Sequence, residues 1–529
     1  MVLTEGSSLN KLMVKLKEKI SFGEGIKYSV PDLWNCFGYK GEEKFVDENG
    51  TTLVNPYKFY FSCINDFIIP KIDVTKDYNK SISQTACNFN EGKEYLGGDW
   101  IIKSSIYAMD VKLSTSWDHN GSGFLESCNE NGFKETGTFL KTIALLPLLK
   151  KMGISILYLL PVSKSDSCYT LKKFFTIDPE LKDTMIGEEF TALEEFRALI
   201  EACHILNIRI IMDIIPKSIA SHTELKRDLF NDNEINEILW NTLSNIIPYY
   251  QNSLGIDGAI LDMGHALPVE LVHRIIESSR TLDNDFCFIT EGFSSKGTKL
   301  VRENGCNMSS CYNWGLESGI SEGKTFELMS ELSKFKAPVF ACAETPDTPR
   351  IATREGGKVL SKFLTILNQF LPNSVPIITS GLEVYETRPF NTCLELCWIN
   401  DSRWDIPDIL ESVTKIKNEF LDTFTNPDNF FPINFESPYT TAIGLAYIIE
   451  GKRWRPNDNV IIIVGNADLY NSREYTLFLE NIRYESGNVS KKAWLMYSQN
   501  EWSHDIYDFD HQNDLQLSFK PGEIKVLMM

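Results

Sequence analysis

The 529-residue chain is 43% hydrophobic and 23% charged, which supplies a large core and exceeds what one ordinary core holds, so two or three domains are expected. Its formal charge of −20 argues against a polyanionic partner, because nucleic-acid sites rely on basic patches that displace counterions. The twelve cysteines are scattered, several inside apolar runs (Cys203, Cys287, Cys342), which reads as small buried side chains in a reducing compartment rather than disulfides.

At the N-terminus, Leu9, Leu12, Met13, Leu16 and Ile20 recur at helical spacing with lysines between them, which predicts an amphipathic helix and not the unbroken core of a signal peptide. No apolar run reaches membrane-spanning length, so no membrane partner is expected and the cytoplasm is the default location. Residues 1–103, with the aromatic run NPYKFYFSCINDFIIP, give no assignable fold; a small cap domain and an elaborated entry to the next domain both fit.

From residue 104 the pattern changes. Ser105 to Leu113 reads as a strand, TFLKTIALLPLLKKMG as a helix closed by Gly153, and GISILYLLPV as a buried strand, a spacing that implies a right-handed parallel crossover. The unit repeats. Helices precede RIIMDIIP, GAILD and FCFITE, and APVFACAETPD is followed by a helix and then SVPIITSGLEVYE. These are seven strands, and the sixth of a set of eight is expected near NMSSCYNWG. Alternating strands and helices over residues 104–430 predict an α/β fold, a closed (β/α)8 TIM barrel. Beyond it, residues 431–529 carry strand-like runs without helices, such as NVIIIVGNADL and EIKVLMM, and predict a C-terminal antiparallel β-sandwich domain.

Several of the barrel runs stop at a carboxylate: Asp213, Asp262, Glu291 and Asp347. Parallel strands end on one rim, which is where barrel enzymes hold their chemistry. Carboxylates gathered there repel one another, so one is held protonated as a proton donor while another stays ionised. Splitting an acetal needs such a pair, one group to protonate the leaving oxygen and one to attack or stabilise the sugar cation. Elsewhere, Asp118, Asn120 and Ser122 in WDHNGSG alternate like the start of a calcium loop, but the twelfth position is Asn129, so an Asx turn is expected instead. Cys393 with Cys397, and Cys306 with Cys311, lack the second pair or histidine cluster that a zinc site requires. Neither metal nor cofactor is expected.

Together RIIMDIIPKS, GIDGAILD, FCFITEGF and AETPDTPR resemble, in order and spacing, the signature regions of the α-amylase superfamily, glycoside hydrolase family thirteen. SCYTLKKFFTIDPEL resembles the loop after its second strand, and the similarity runs from about Ser104 to Met529. The resemblance implies Asp262 as nucleophile, Glu291 as general acid/base and Asp347 as stabiliser of the distorted sugar. It further implies Tyr169 stacked under the sugar and Asp213 supporting the floor of the site. The substrate implied is an oligosaccharide or α-glucan, cleaved or transferred at an α-glucosidic bond with retention. ETPDTPR with the following REGG, and GLEVYETRPFN, loosely resemble the maltosyltransferase branch.

Several positions depart from that pattern. Ile260 stands where the superfamily has an arginine, Lys217 and Ser218 where it has Asn-His, and Pro346 where it has histidine before the last aspartate; Lys172 or Lys173 also replaces an aspartate of the second loop. An aspartate without its cationic neighbour drifts to a higher pKa and loses nucleophilicity. Two readings follow. Either Lys217, His265 or Arg350 replaces the lost contacts and binds substrate in an active enzyme, or the protein is a degenerate relative that binds carbohydrate or a protein partner without turnover. Arg350 and Arg354 suit either a phosphate or a salt bridge across the rim.

Overall fold

A computed structural model describes residues 6–40, 51–69, 95–163, 175–214, 229–231, 234–261, 267–290, 295–310, 324–390, 402–435, 441–451, 453, 458–487, 492–498, 506–508 and 514–529. Among these residues, eight parallel strands form one sheet: β1 (Ile106–Met109), β2 (Ile156–Leu159), β3 (Arg209–Asp213), β4 (Gly258–Leu261), β5 (Cys287–Thr290), β6 (Met308–Ser309), β7 (Val339–Cys342) and β8 (Ser374–Thr379). Their order is β6-β5-β4-β3-β2-β1-β8-β7. The Ser309 amide donates to the Pro338 carbonyl at 2.9 Å, joining β6 to the start of β7 and closing the barrel.

The helices that follow the strands are α3 (Phe139–Lys151), α4 (Ala192–Ile205), α5 (Glu237–Leu254), α6 (Val269–Leu282), α7 (Ser295–Glu303), α8 (Thr325–Leu332), α9 (Gly357–Asn368) and α10 (Asp405–Glu419). Local chemistry sets their ends. Thr191 and Glu194 form a reciprocal capping box before α4. At φ 80°, Gly255 closes α5 in the left-handed conformation that glycine adopts without steric cost.

Side chains alternate along each strand. Ile106, Ala108, Ile156, Ile211, Ile260, Ile289, Phe340 and Ile377 fill the barrel interior. Their neighbours Tyr107, Leu157, Ile210, Ala259 and Phe288 face the helices. Burial on both faces is why these strands read as continuous apolar runs.

Two sequence expectations are adjusted. The segment from Ser105 to Leu113 is a strand only to Met109, because the Asp110 carboxylate accepts from the Leu113 amide at 2.9 Å and starts one helical turn, Val111–Ser114. The sixth strand falls where expected but is two residues long.

The N-terminal segment lies against the barrel helices. In α1 (Ser8–Glu18), Leu9, Leu12 and Leu16 are buried against α4 as the stripe predicts. The α4 residue Glu201 accepts from the amides of Ser8 at 3.3 Å and Leu9 at 2.7 Å, placing a carboxylate on a helix N-terminus where the dipole favours it. A second helix, α2 (Pro56–Ser62), starts at an Asn55 cap with proline in its first turn, and its continuation packs on α3. Trp117 to Gly123 forms the expected Asx turn: the Asp118 carboxylate accepts from the amides of Gly121, Ser122 and Gly123.

Beyond the barrel lie β9 (Phe430–Pro432), β10 (Ala442–Ile448), β11 (Val460–Asn466), β12 (Arg473–Phe478), β13 (Lys492–Ser498), β14 (Ile506–Asp508), β15 (Asp514–Phe519) and β16 (Ile524–Met528). Among the described residues they make an antiparallel six-stranded sheet, β9-β10-β11-β16-β13-β14, covered by the β12–β15 pair. One face of the larger sheet (Ala446, Ile462, Val464) packs on Tyr475, Leu517 and Phe519. The other, including Leu445, Tyr447 and Ile463, joins the barrel core. A short helix, Leu479–Ser486, interrupts this domain, where only strands were predicted. No described helix is long and apolar enough to cross a membrane.

Candidate active site

The C-terminal strand ends define one rim. Asp213 ends β3, partly buried, and strand alternation puts it on the same inward face as Ile211. Its register partner on β4 is Ile260. Ile260 in turn pairs with Ile289 on β5, and Leu261 with Thr290. Ile260 and Ile289 both face the barrel interior, two residues before Asp262 and Glu291 in the sequence. Asp262, Glu291, Tyr169, Lys217 and His265 lie outside the described residues. The Ile260 side chain, 5% exposed, belongs to an apolar cluster at the position where the resemblance expects a guanidinium.

Asp347 is exposed on the loop after β7, and the structure explains the proline beside it. Residues 345–348 form a β-turn in which the Thr348 amide donates to the Thr345 carbonyl at 3.2 Å. Pro346 occupies the second position of that turn, which its fixed φ suits. The Thr345 hydroxyl accepts from the Asp347 amide at 3.3 Å, and the Thr348 hydroxyl accepts from the Thr345 amide at 2.8 Å.

Arg350 was expected to contact substrate; the structure corrects this. Arg350 is 2% exposed, and its guanidinium is engaged inside the protein. It donates to Glu344 Oε1 at 2.6 Å, to the Ser380 carbonyl at 2.9 Å and to the Arg388 carbonyl at 3.0 Å, and lies 5.2 Å from the Phe390 ring centre. Of the alternatives raised by the sequence, the rim salt bridge is the one observed. Arg354 braces the outside of the same loop through the Pro349 carbonyl at 2.7 Å.

Next to this pair sits a further carboxylate, four residues beyond the end of β8. Glu383 is fully buried and accepts from the Tyr107 hydroxyl at 2.7 Å and the Gly381 amide at 2.9 Å. Burial pushes its carboxyl up to about 7, against the opposing pull of those hydrogen bonds. A proton is therefore retained in the folded protein at pH values where the unfolded chain has released it. The associated stability is complete below about pH 4.3 and is lost as pH rises through about 7. Glu195, buried beside Asp183 and pushed up to about 8, acts with the same sign. The Glu383→Gln variant should accordingly show a flatter decline of urea-unfolding stability between about pH 4.5 and 7, with a residual slope from Glu195; an unchanged slope would show that Glu383 does not titrate in that window.

A cavity of about 500 Å3 opens at the opposite end of the barrel, against the C-terminal domain, with Lys103, Arg302, Phe335 and Asn373 in its wall. Its ion pairs are internal: Arg302 with Asp99 at 2.6 Å and Lys103 with Asp422 at 2.6 Å. Barrel chemistry resides at the C-terminal strand ends, the rim that faces away from this cavity. No cluster of metal-binding side chains occurs among the described residues.

Fold and rim thus define a (β/α)8-barrel protein with carboxylates gathered at the C-terminal ends of its strands. Residues 118–266 match the family model of the alpha amylase catalytic domain. Solved structures share the fold. The α-amylase from Geobacillus thermoleovorans complexed with acarbose aligns at a TM-score of 0.58 with 14% identity, covering 81% of this chain and 98% of that one. The debranching enzyme from Nostoc punctiforme, soaked with acarbose, aligns at 0.58 with 13% identity over 82% and 100%. The cyclic alpha-maltosyl-(1→6)-maltose hydrolase from Arthrobacter globiformis aligns at 0.58 with 14% identity over 82% and 100%. No curated protein matches the chain. The similarity to the alpha amylase catalytic domain thus spans β2, β3 and β4 of the barrel.

Proposed function

We propose that the protein is a retaining glycosidase or transglycosidase that acts on α-glucosidic bonds of an oligosaccharide or α-glucan. The observation that carries this reading is the register of β4 and β5. Leu261 lies opposite Thr290, so the strands that lead to Asp262 and Glu291 end level with each other and at the same rim as Asp213. In the proposed reaction, Glu291 donates a proton to the glycosidic oxygen while the Asp262 carboxylate attacks the anomeric carbon; the bond to the leaving sugar breaks and a glycosyl ester forms. Glu291 then takes a proton from water or a sugar hydroxyl, whose oxygen displaces Asp262 and releases the product. Asp347 stabilises the positive charge that develops on the ring.

One observation favours a second reading, binding without turnover. Ile260, buried in an apolar cluster, stands at the place where the superfamily pattern has an arginine beside its nucleophile. Incubation with maltodextrins, trehalose, sucrose and maltose 1-phosphate, followed by chromatography of the products, separates the two. Products from at least one donor support the enzyme; glucan binding without product from any donor supports the second reading.

A further inference from the structure

The loop that carries Asp347 is closed at its base by an ion pair. Glu344 is 2% exposed and Arg350 2%, and they lie on either side of the turn at 345–348. One Glu344 oxygen accepts from Arg350 at 2.6 Å and the other from the Ile351 amide at 2.6 Å, so the carboxylate grips both the side chain and the backbone of the returning chain. The Glu344 carbonyl accepts from the Thr379 hydroxyl of β8 at 2.9 Å. Arg350 reaches the carbonyls of Ser380 and Arg388 beyond β8. The loop is therefore tied to its own exit and to the neighbouring strand end by five hydrogen bonds from two side chains and one main-chain carbonyl. Prolines at 346 and 349 remove further freedom from the segment.

We propose that Glu344 and Arg350 are positioning residues: the buried pair fixes the height and orientation of the Asp347 turn on the rim. The role of Asp347 in catalysis rests on the function proposed above; the clamp itself rests on the geometry of the loop. A surface ion pair would hold such a loop weakly, since solvent screens it and side-chain entropy opposes it. This pair is excluded from water, and the fork of Arg350 is held by three acceptors, so its loss frees the loop rather than merely shifting it.

The test compares wild type with Glu344→Gln, which keeps shape and removes charge, and Arg350→Lys, which keeps charge and removes the fork. Hydrogen–deuterium exchange should accelerate at the amides of 345–351 in both variants and stay unchanged in β2, β3 and β4, which also shows that the barrel is folded. On the donor that the wild type uses, kcat should fall about 10- to 100-fold while KM changes less than about threefold, the pattern of a misplaced group rather than a lost binding contact. Unchanged exchange at 345–351 overturns the clamp. Faster exchange with unchanged kcat overturns its positioning role. If the wild type turns over no donor, the proposed function fails instead, and the exchange comparison decides the clamp by itself.

Discussion

Asp262→Asn is expected to lower turnover of α-glucans by about 10⁴-fold or more, with substrate binding largely kept. The amide has nearly the shape of the carboxylate but cannot form the glycosyl ester on which a double displacement depends, and it cannot stabilise developing positive charge. Sugar hydroxyl contacts belong to other groups, so the loss should appear in kcat far more than in the dissociation constant of a maltooligosaccharide. Steady-state rates together with isothermal calorimetry measure both. A variant within tenfold of the wild-type rate would remove Asp262 from the mechanism, and with it the carry-over of the nucleophile from the superfamily pattern.

Arg350→Met should destabilise the folded protein by about 3–5 kcal/mol near neutral pH, because it leaves the Glu344 carboxylate buried without its cation. Burial already pushes the Glu344 carboxyl up, with Arg350 opposing that rise. Removing Arg350 raises it further, so the variant regains stability by protonation as pH falls and loses it as pH rises. The deficit should therefore shrink in acid. The double variant Glu344→Gln/Arg350→Met, which removes both charges, should recover most of the loss at neutral pH. Urea denaturation at two pH values for the three proteins checks this; a single variant as stable as wild type at neutral pH would show that the pair contributes nothing to the fold.

What could be read from the sequence follows from how barrel strands are buried. Strands such as Ile156–Leu159 and Cys287–Thr290 are covered on both faces and stand out as apolar runs. Met308–Ser309 is too short to make such a run and could be placed only by counting. Asp110 was absorbed into the first strand because a cap and a strand residue look alike until the chain turns. The stripe of α1 was plain, but its partner surface on α4, nearly two hundred residues away, was not. At the rim, strand-end carboxylates such as Asp213 were legible because β-strand ends punctuate apolar runs. The Glu344–Arg350 pair was not, since a carboxylate six residues before an arginine across two prolines gains meaning only when the loop closes. In the sequence Arg350 is a charge near the rim with no visible partner, and only the folded loop makes it an internal tie to Glu344.

The central claim, retaining chemistry at α-glucosidic bonds, is tested most directly by the anomeric configuration of the first product. Proton NMR during the opening minutes of reaction with a maltooligosaccharide, before mutarotation, distinguishes the two outcomes. The newly formed reducing end, or the newly formed linkage if a sugar accepts the glycosyl group, should appear as the α-anomer. A β-anomeric first product, or no product from any α-glucoside donor, would contradict it.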